Sequence, residues 1–194
     1  MLRTLPFALI VLAIALCGGA GSVWLALHGN YGVGAVEIDG WTAFPEVGTP
    51  GADTYSKARF AREGGLSLGQ SEGVVFVAAN DSMGRPLQRA CEYAVEGQMP
   101  AARFWTLHAA DQQRAVLAPL ARRAPALHSL GMMRDGNGAV RIGIARHPLP
   151  GNWLAVSGSG PMLLVLALYD APTANASRVS DIDLPPVVRG NCDG

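Results

Sequence analysis

The longest apolar run comes first: "LPFALIVLAIALCGGAGSVWLAL" covers residues 5–27 without a charged side chain. At about 1.5 Å per residue, a helix of this length reaches about 35 Å, enough for a hydrocarbon core of ~30 Å. Arg3 and the α-amino group precede it, and no basic residue follows until Lys57. This charge bias predicts a cytoplasmic N-terminus and export of everything after His28. Pro6 falls in the first turn, where a missing N–H costs little. A cleaved signal peptide is the second reading, with residues 7–16 as its apolar region and Gly18-Gly19-Ala20 as its small-residue site. "VWLAL" carries the run past that point and favours an uncleaved anchor. Leu16 is too bulky to precede a lipoprotein Cys17. Gly18 and Ser22 have the spacing of a small-residue helix contact, though small residues also occur in membrane helices without one.

Past the run the pattern shortens. Residues 1–28 read as the anchor or signal peptide, 29–52 as a tether and 53–194 as one folded domain. Within the tether "AVEIDGW" predicts one short strand ending at Trp41, before Pro45, Pro50 and Gly51 break the chain. "ADTYSKARFAREGG" predicts one short helix, capped by Asp53 and stopped by Gly64-Gly65. Tyr55, Ala58 and Ala61 share one face of it, and Lys57, Arg59 and Arg62 make the rest basic. The pattern then turns to β. "EGVVFVAA" is a Val-rich run, "NDSMG" a turn, and "CEYAVEG" alternates with Cys91, Tyr93 and Val95 on one side and Glu92 and Glu96 on the other. Alternation beside a turn is a hairpin signal. "ARFWTLHAAD" is another strand. A weak stretch at 112–118 reads as a helical turn, and 128–134 as a strand. The turn "DGNG" offers residues that tolerate positive φ and leads into "AVRIGIARH", where Val140, Ile142 and Ile144 line one face. "GNWLAV", the turn "SGSG" and "PMLLVLALYD" follow. Residues 163–168 are apolar on both alternating faces, the mark of a central strand covered on both sides, with Asn152-Trp153 opening its partner. In "SDIDLPPVVRGNCDG" Pro185-Pro186 exclude a strand and can open a helical turn. About seven strands with short turns and one helix before them predict a mainly β domain, a β-sandwich or jelly-roll-like fold with one short helix.

Composition sharpens this picture. Apolar residues make up 49% and charged residues 15%, which excludes a disordered chain, and 24 Gly with 13 Pro fit a turn-rich β protein. The 15 basic and 15 acidic side chains cancel without a basic cluster, so no nucleic-acid partner is expected. Export leaves Cys91 and Cys192 as an even pair in an oxidising compartment. A bridge would close a loop of about 100 residues, worth about 4–5 kcal/mol of loop-closure entropy. The alternative is two independent thiols.

Catalytic motifs are absent. His28, His108, His128 and His147 show no i, i+2 or i, i+4 pair, so no local metal-ligand set is expected. Asp181 and Asp183 fit helix capping or solvated carboxylates better than a hard-cation site. "VSGSG" around Ser157 and Ser159 lacks the glycine offsets of a nucleophile elbow. "YGVGAV" lacks the third glycine of a dinucleotide fingerprint and follows no strand, and no cofactor is expected. Asn80 and Asn175 open N-x-S triplets, relevant only where exported chains are glycosylated. One constellation remains: Arg103, Trp105, His128, Ser129, Asn152, Trp153 and Tyr169. If their strands share a sheet, these residues meet near one edge. Aromatic faces with an amide, an imidazole and a guanidinium suit a carbohydrate or an amphipathic ligand. The competing reading is that Trp153 and Tyr169 are core aromatics and Asn152 accepts a turn conformation.

"ARFWTL" (102–107), "ALHS" (126–129), "PGNWL" (150–154) and "LALYD" (166–170) follow one another in order. This set resembles the bacterial domain of unknown function 1214 family over residues 41–170. "SDIDLP" and the final "CDG" resemble its short membrane-anchored members. Relatives often read "NWLP" where Ala155 stands here. The resemblance implies a β-rich, jelly-roll-like fold and no established catalytic residues. In longer relatives such a domain follows another, domain of unknown function 1254, so the resemblance implies a separate partner carrying that half. The expectation is a single-pass protein of the bacterial inner membrane whose C-terminal domain lies in the periplasm and serves binding or assembly. The alternative is an enzyme, or half of one, acting on envelope glycan, lipid or a small molecule, with His128 as acid or base.

Overall fold

The structure, a computed structural model, describes residues 4–28, 34–47, 49–63, 68, 72–119, 122–172 and 179–192. Helix α1 (Thr4–His28) takes up the first apolar run. It is long and apolar enough, over Pro6–Leu25, to cross a membrane, a property that a signal sequence shares. Helix α2 (Thr54–Glu63) starts where expected, with Asp53 Oδ1 accepting the Ser56 N–H at 3.0 Å. Ala58 and Ala61 are exposed, and Ser56 is buried under the cap. The Gly64-Gly65 stop lies outside the described residues.

Two sheets follow. The larger has the order β1 (Val36–Ile38), β2 (Trp41–Ala43), β3 (Gly73–Ala78), β9 (Leu163–Tyr169), β5 (Phe104–Ala110) and β6 (Ala126–His128). The smaller has the order β10 (Val187–Cys192), β4 (Cys91–Gly97), β7 (Val140–Ala145) and β8 (Asn152–Ala155). Trp41, Phe76, Trp105, Leu107, Leu164 and Leu166 from the larger sheet share one core with Tyr93, Val95, Ile142, Ile144 and Leu154 from the smaller. The fold is thus a mainly β sandwich. β9 runs down the middle of the larger sheet between β3 and β5, and a second small cluster of Ala110, Leu163 and Val165 buries its outer side. Its run of apolar residues on both faces has that cause.

Several elements differ from the sequence expectation. "AVEIDGW" forms not one strand but the start of a hairpin, β1–β2. Asp39 (φ 49°) and Gly40 (φ 84°) make its two-residue turn, and the hairpin joins the larger sheet within residues assigned to the tether. β3 and β4 do not pair. The chain turns a corner between them, through the Asn80↔Pro86 bridge, and enters the other sheet. Residues 112–118 form no helical turn. Asp111 Oδ1 accepts the N–H groups of Gln113 and Ala115, and Val116 bridges back to Ala110. The strand expected at 128–134 ends at His128 and gives way to a 3₁₀ turn, Ser129–Gly131. β8 is not the partner of β9 but lies parallel to β7, Ile142 opposite Asn152 and Ala145 opposite Ala155. The return path over 146–151 lays Leu149 on Gly143, where an added Cβ would sit 2.6 Å from Leu149 Cδ1. Pro185-Pro186 open no helical turn. They precede β10, whose first residue is Val187, a position where a missing N–H breaks no ladder bond.

Candidate functional site

At one end of the larger sheet, three rings stand side by side on its outer face. Strand alternation sends Trp105, Leu107 and Ala109 into the core and leaves Phe104, Thr106 and His108 outside. Register sets Phe104 opposite Tyr169 and Thr106 opposite His128. The Phe104 ring lies 5.9 Å from the His128 ring and 5.8 Å from the Tyr169 ring, at interplanar angles of 29° and 40°. Arg103 flanks this row: its N–H donates to the Tyr169 carbonyl, and its guanidinium is 3.7 Å from the Asp170 carboxylate. Both side chains of that pair are largely in water, so it adds little stability. The arrangement offers aromatic faces with a charged, hydrogen-bonding rim.

The other candidates stand elsewhere. Trp105 is 2% exposed and packs in the core, and the Ser129 hydroxyl accepts its backbone N–H. Asn152 and Trp153 belong to the smaller sheet. The Asn152 amide accepts the Met133 N–H at 2.8 Å and donates to the Met133 and Arg141 carbonyls. It thereby ties the Met133 backbone, outside the sheet, to β7 and β8. Trp153 Nε1 donates to the Ala145 carbonyl, and the Arg123 guanidinium covers the ring at 4.7 Å from its centroid. Further along the larger sheet's outer face, a cavity of about 50 Å³ opens over β3, lined by Phe44, Val47, Val75, Val77 and Arg114 among others. It has room for a few waters but not for a drug-sized ligand. His108, on the same face opposite Val165, has its pKa lowered by burial. Among the described residues no group of three or more His, Cys, Asp or Glu is placed to hold a metal ion.

A second constellation escapes sequence reading. In the corner between β3 and β4, the Asp81 carboxylate is fully buried. Its Oδ2 accepts from Arg189 Nε at 2.7 Å and Arg85 Nε at 2.9 Å, and its Oδ1 accepts the N–H groups of Met83 and Arg85. Burial alone would raise its pKa. The hydrogen bonds and the two guanidiniums win and hold it down at about 2. Arg189 also donates to the Arg85 and Pro86 carbonyls and lies over the Tyr93 ring. Beside it, Cys91 and Cys192 form the disulfide that joins β4 to β10. The one local signal is "NDSMGR", an Asp with Arg four residues on, which has the composition of an ordinary turn.

A family model described as a protein of unknown function (DUF1214) matches residues 72–173, just over half of the chain. The chain belongs to the DUF1214 family. No curated protein matches it. Among solved structures it is similar to the VPA0106 protein from Vibrio parahaemolyticus, with a TM-score of 0.58 and 17% identity over 71% of this chain and 35% of that one. It also matches an uncharacterised protein from Burkholderia cenocepacia, with a TM-score of 0.43 and 14% identity over 67% of this chain and 32% of that one. The chain therefore spans about a third of the length of the solved structures it matches. The DUF1214 span holds the ring row, Asn152, Asp81 and Cys91, whereas β10, with Arg189 and Cys192, lies beyond it. The ion cluster and the disulfide thus join the β4–β10 strand pairing in tying the DUF1214 span to the segment after it.

Proposed function

We propose that this chain is a binding or assembly module: a β-sandwich held at the periplasmic face of the bacterial inner membrane by α1, where it docks a separate protein carrying a domain of unknown function 1254. The observation that carries this reading is the match in length. The same sandwich accounts for only 35% of VPA0106, most of which lies outside the match. A fold that recurs inside a longer chain has surfaces suited to other parts of that chain. The apolar helix and the Cys91–Cys192 bridge support an exported location. Purification of the full chain from native membranes in mild detergent is expected to bring down one such partner at comparable yield. A chain that elutes alone at native expression refutes the reading.

The ring row motivates a second reading, ligand binding or catalysis on envelope glycan, lipid or a small molecule. Arg103, Phe104, His128 and Tyr169 form its centre, with His128 as acid or base. His128 is exposed, so His128→Ala should leave the circular dichroism intact. Loss of binding to envelope glycan fragments in that variant supports this reading. Equal binding by both chains, or by neither, removes it.

A further inference from the structure

The two sulfurs of the Cys91–Cys192 bridge are not equivalent. Cys91 is 6% exposed, whereas Cys192 stands on the exposed end of β10. Arg189 Nη1 lies 3.4 Å from Cys91 Sγ and 4.0 Å from Cys192 Sγ. The neighbouring ion cluster sets one carboxylate, Asp81, against two guanidiniums, Arg85 and Arg189. While the bridge is closed, that set carries one surplus positive charge. Among the described residues, the other titratable groups beside this set are Tyr93 and Glu92. Tyr93 lies under the Arg189 guanidinium and accepts the Gln88 N–H through its hydroxyl. Glu92 sits on the other side of β4 and engages His147 at 3.1 Å.

We propose that the Cys91–Cys192 bridge is a thiol–disulfide exchange site: an external thiolate attacks the exposed Cys192 sulfur, and Arg189 stabilises the Cys91 thiolate that leaves. The incoming thiol gives its proton to solvent. Its sulfur bonds to Cys192 Sγ, the bond between Cys192 and Cys91 breaks, and the electron pair of that bond remains on Cys91 Sγ. One sulfur is oxidised as another is reduced, so no further oxidant is needed. A leaving thiol departs faster as its pKa falls. An apolar burial would raise the Cys91 value, but a guanidinium N–H aimed at the sulfur, in a cluster short of one negative charge, lowers it. Arg189 thus acts as a positioning residue for the exchange. The inference stands apart from the docking reading, since it needs only the bridge and its surroundings.

The test uses the full chain in detergent with Cys17→Ala, so that the bridge is the only source of thiols. The oxidised chain is treated with glutathione, and the adduct is located by peptide mass spectrometry. The expected adduct is on Cys192. A parallel arm replaces glutathione with a thioredoxin-type protein lacking its resolving cysteine, which separates a small thiol from an oxidoreductase as the source. Reaction with either supports the site, and reaction with neither overturns it. In a Cys17→Ala/Cys192→Ser chain, ultraviolet thiolate absorbance should place the Cys91 titration below the ordinary value of about 8.5. Arg189→Gln should raise that titration and slow exchange about tenfold, and Arg189→Lys should largely retain both. An adduct on Cys91, or a titration at or above about 8.5 with Arg189 present, overturns the proposal. These two measurements decide the matter even where Arg189→Gln fails to fold.

Discussion

Replacing Asp81 with Asn tests whether the corner between the sheets is held by charge. Asn can keep the turn bonds from Met83 and Arg85, because its Oδ1 can occupy the same place. Its amide then presents hydrogens where Oδ2 accepted from Arg189 and Arg85, donor against donor. The Asp81 side chain is 0% exposed and that of Arg189 12%, so water screens this pair little; Arg85 is 52% exposed and adds less. Breaking a buried pair while leaving one charge behind costs about 3–5 kcal/mol. Proton linkage gives an independent check. A carboxyl lowered from 3.8 to about 2 supplies stability that is fully present above the unfolded value and is lost as pH falls through the folded one. That contribution is about 2 kcal/mol. It is smaller than the mutational cost, as it should be, because a protonated Asp still donates and accepts hydrogen bonds. The assay is urea denaturation of the full chain in detergent, followed by tryptophan fluorescence, with Trp41 and Trp105 reporting from the core. With a urea slope of about 2 kcal/mol/M, Asp81→Asn should lower the midpoint by about 1.5–2.5 M. The variant should also lose the decline expected of the wild type between about pH 4 and 2. A midpoint shift under about 0.5 M, or an unchanged acid limb, would refute the argument from the buried pair.

Three further outcomes are expected. A Cβ on Gly73 would lie 2.0 Å from the Leu168 carbonyl oxygen, so Gly73→Ala should force β3 from β9 and cost about 3 kcal/mol, read as a lower thermal midpoint. Burial lowers the His108 pKa, so below the ordinary value of 6.5 the unfolded chain takes up the proton more readily and stability falls with pH. His108→Gln should flatten the urea midpoint between pH 7 and the acid side of that range; an unchanged slope counts against a buried neutral imidazole. Asn152→Ala leaves the Met133 and Arg141 backbone groups without their partner and should cost about 1–3 kcal/mol. Glycan binding equal to that of the wild type in that variant would keep Asn152 out of the ring site.

Which residues face inward was legible in the sequence; which sheet they enter was not. The alternation of Cys91, Tyr93 and Val95 matches their burial, as does the unbroken apolar character of β9. Both are local consequences of side-chain period and cover. Pairing is a long-range matter. A turn at 81–84 reads the same whether it closes a hairpin or carries the chain round a corner, and only the buried Asp81 distinguishes the two. The parallel β7–β8 pair was illegible for a related reason: parallel neighbours ordinarily need a longer crossover. Here Gly143 lets Leu149 lie flat on the strand and shortens the return. The ring row was half legible. Arg103, His128 and Tyr169 stand in the constellation that the sequence suggests; Phe104 does not, although the period-2 pattern around Trp105 places it outside. Asp39-Gly40 was the plainest missed signal, a standard two-residue hairpin turn.

The pairing of β4 also bears on how the protein is made. Its neighbour β10 brings a cysteine that follows Cys91 by 101 residues. A ribosome adding about 5–20 residues per second needs about 5–20 s to reach it. Throughout that delay the β4 border is unmated and Cys91 has no native sulfur to join. The sulfurs it can meet in that time are foreign thiols and Cys17 of α1. Nascent chains therefore need shelter on the scale of seconds, and failures should collect as mixed adducts of Cys91 or as its bridge to Cys17.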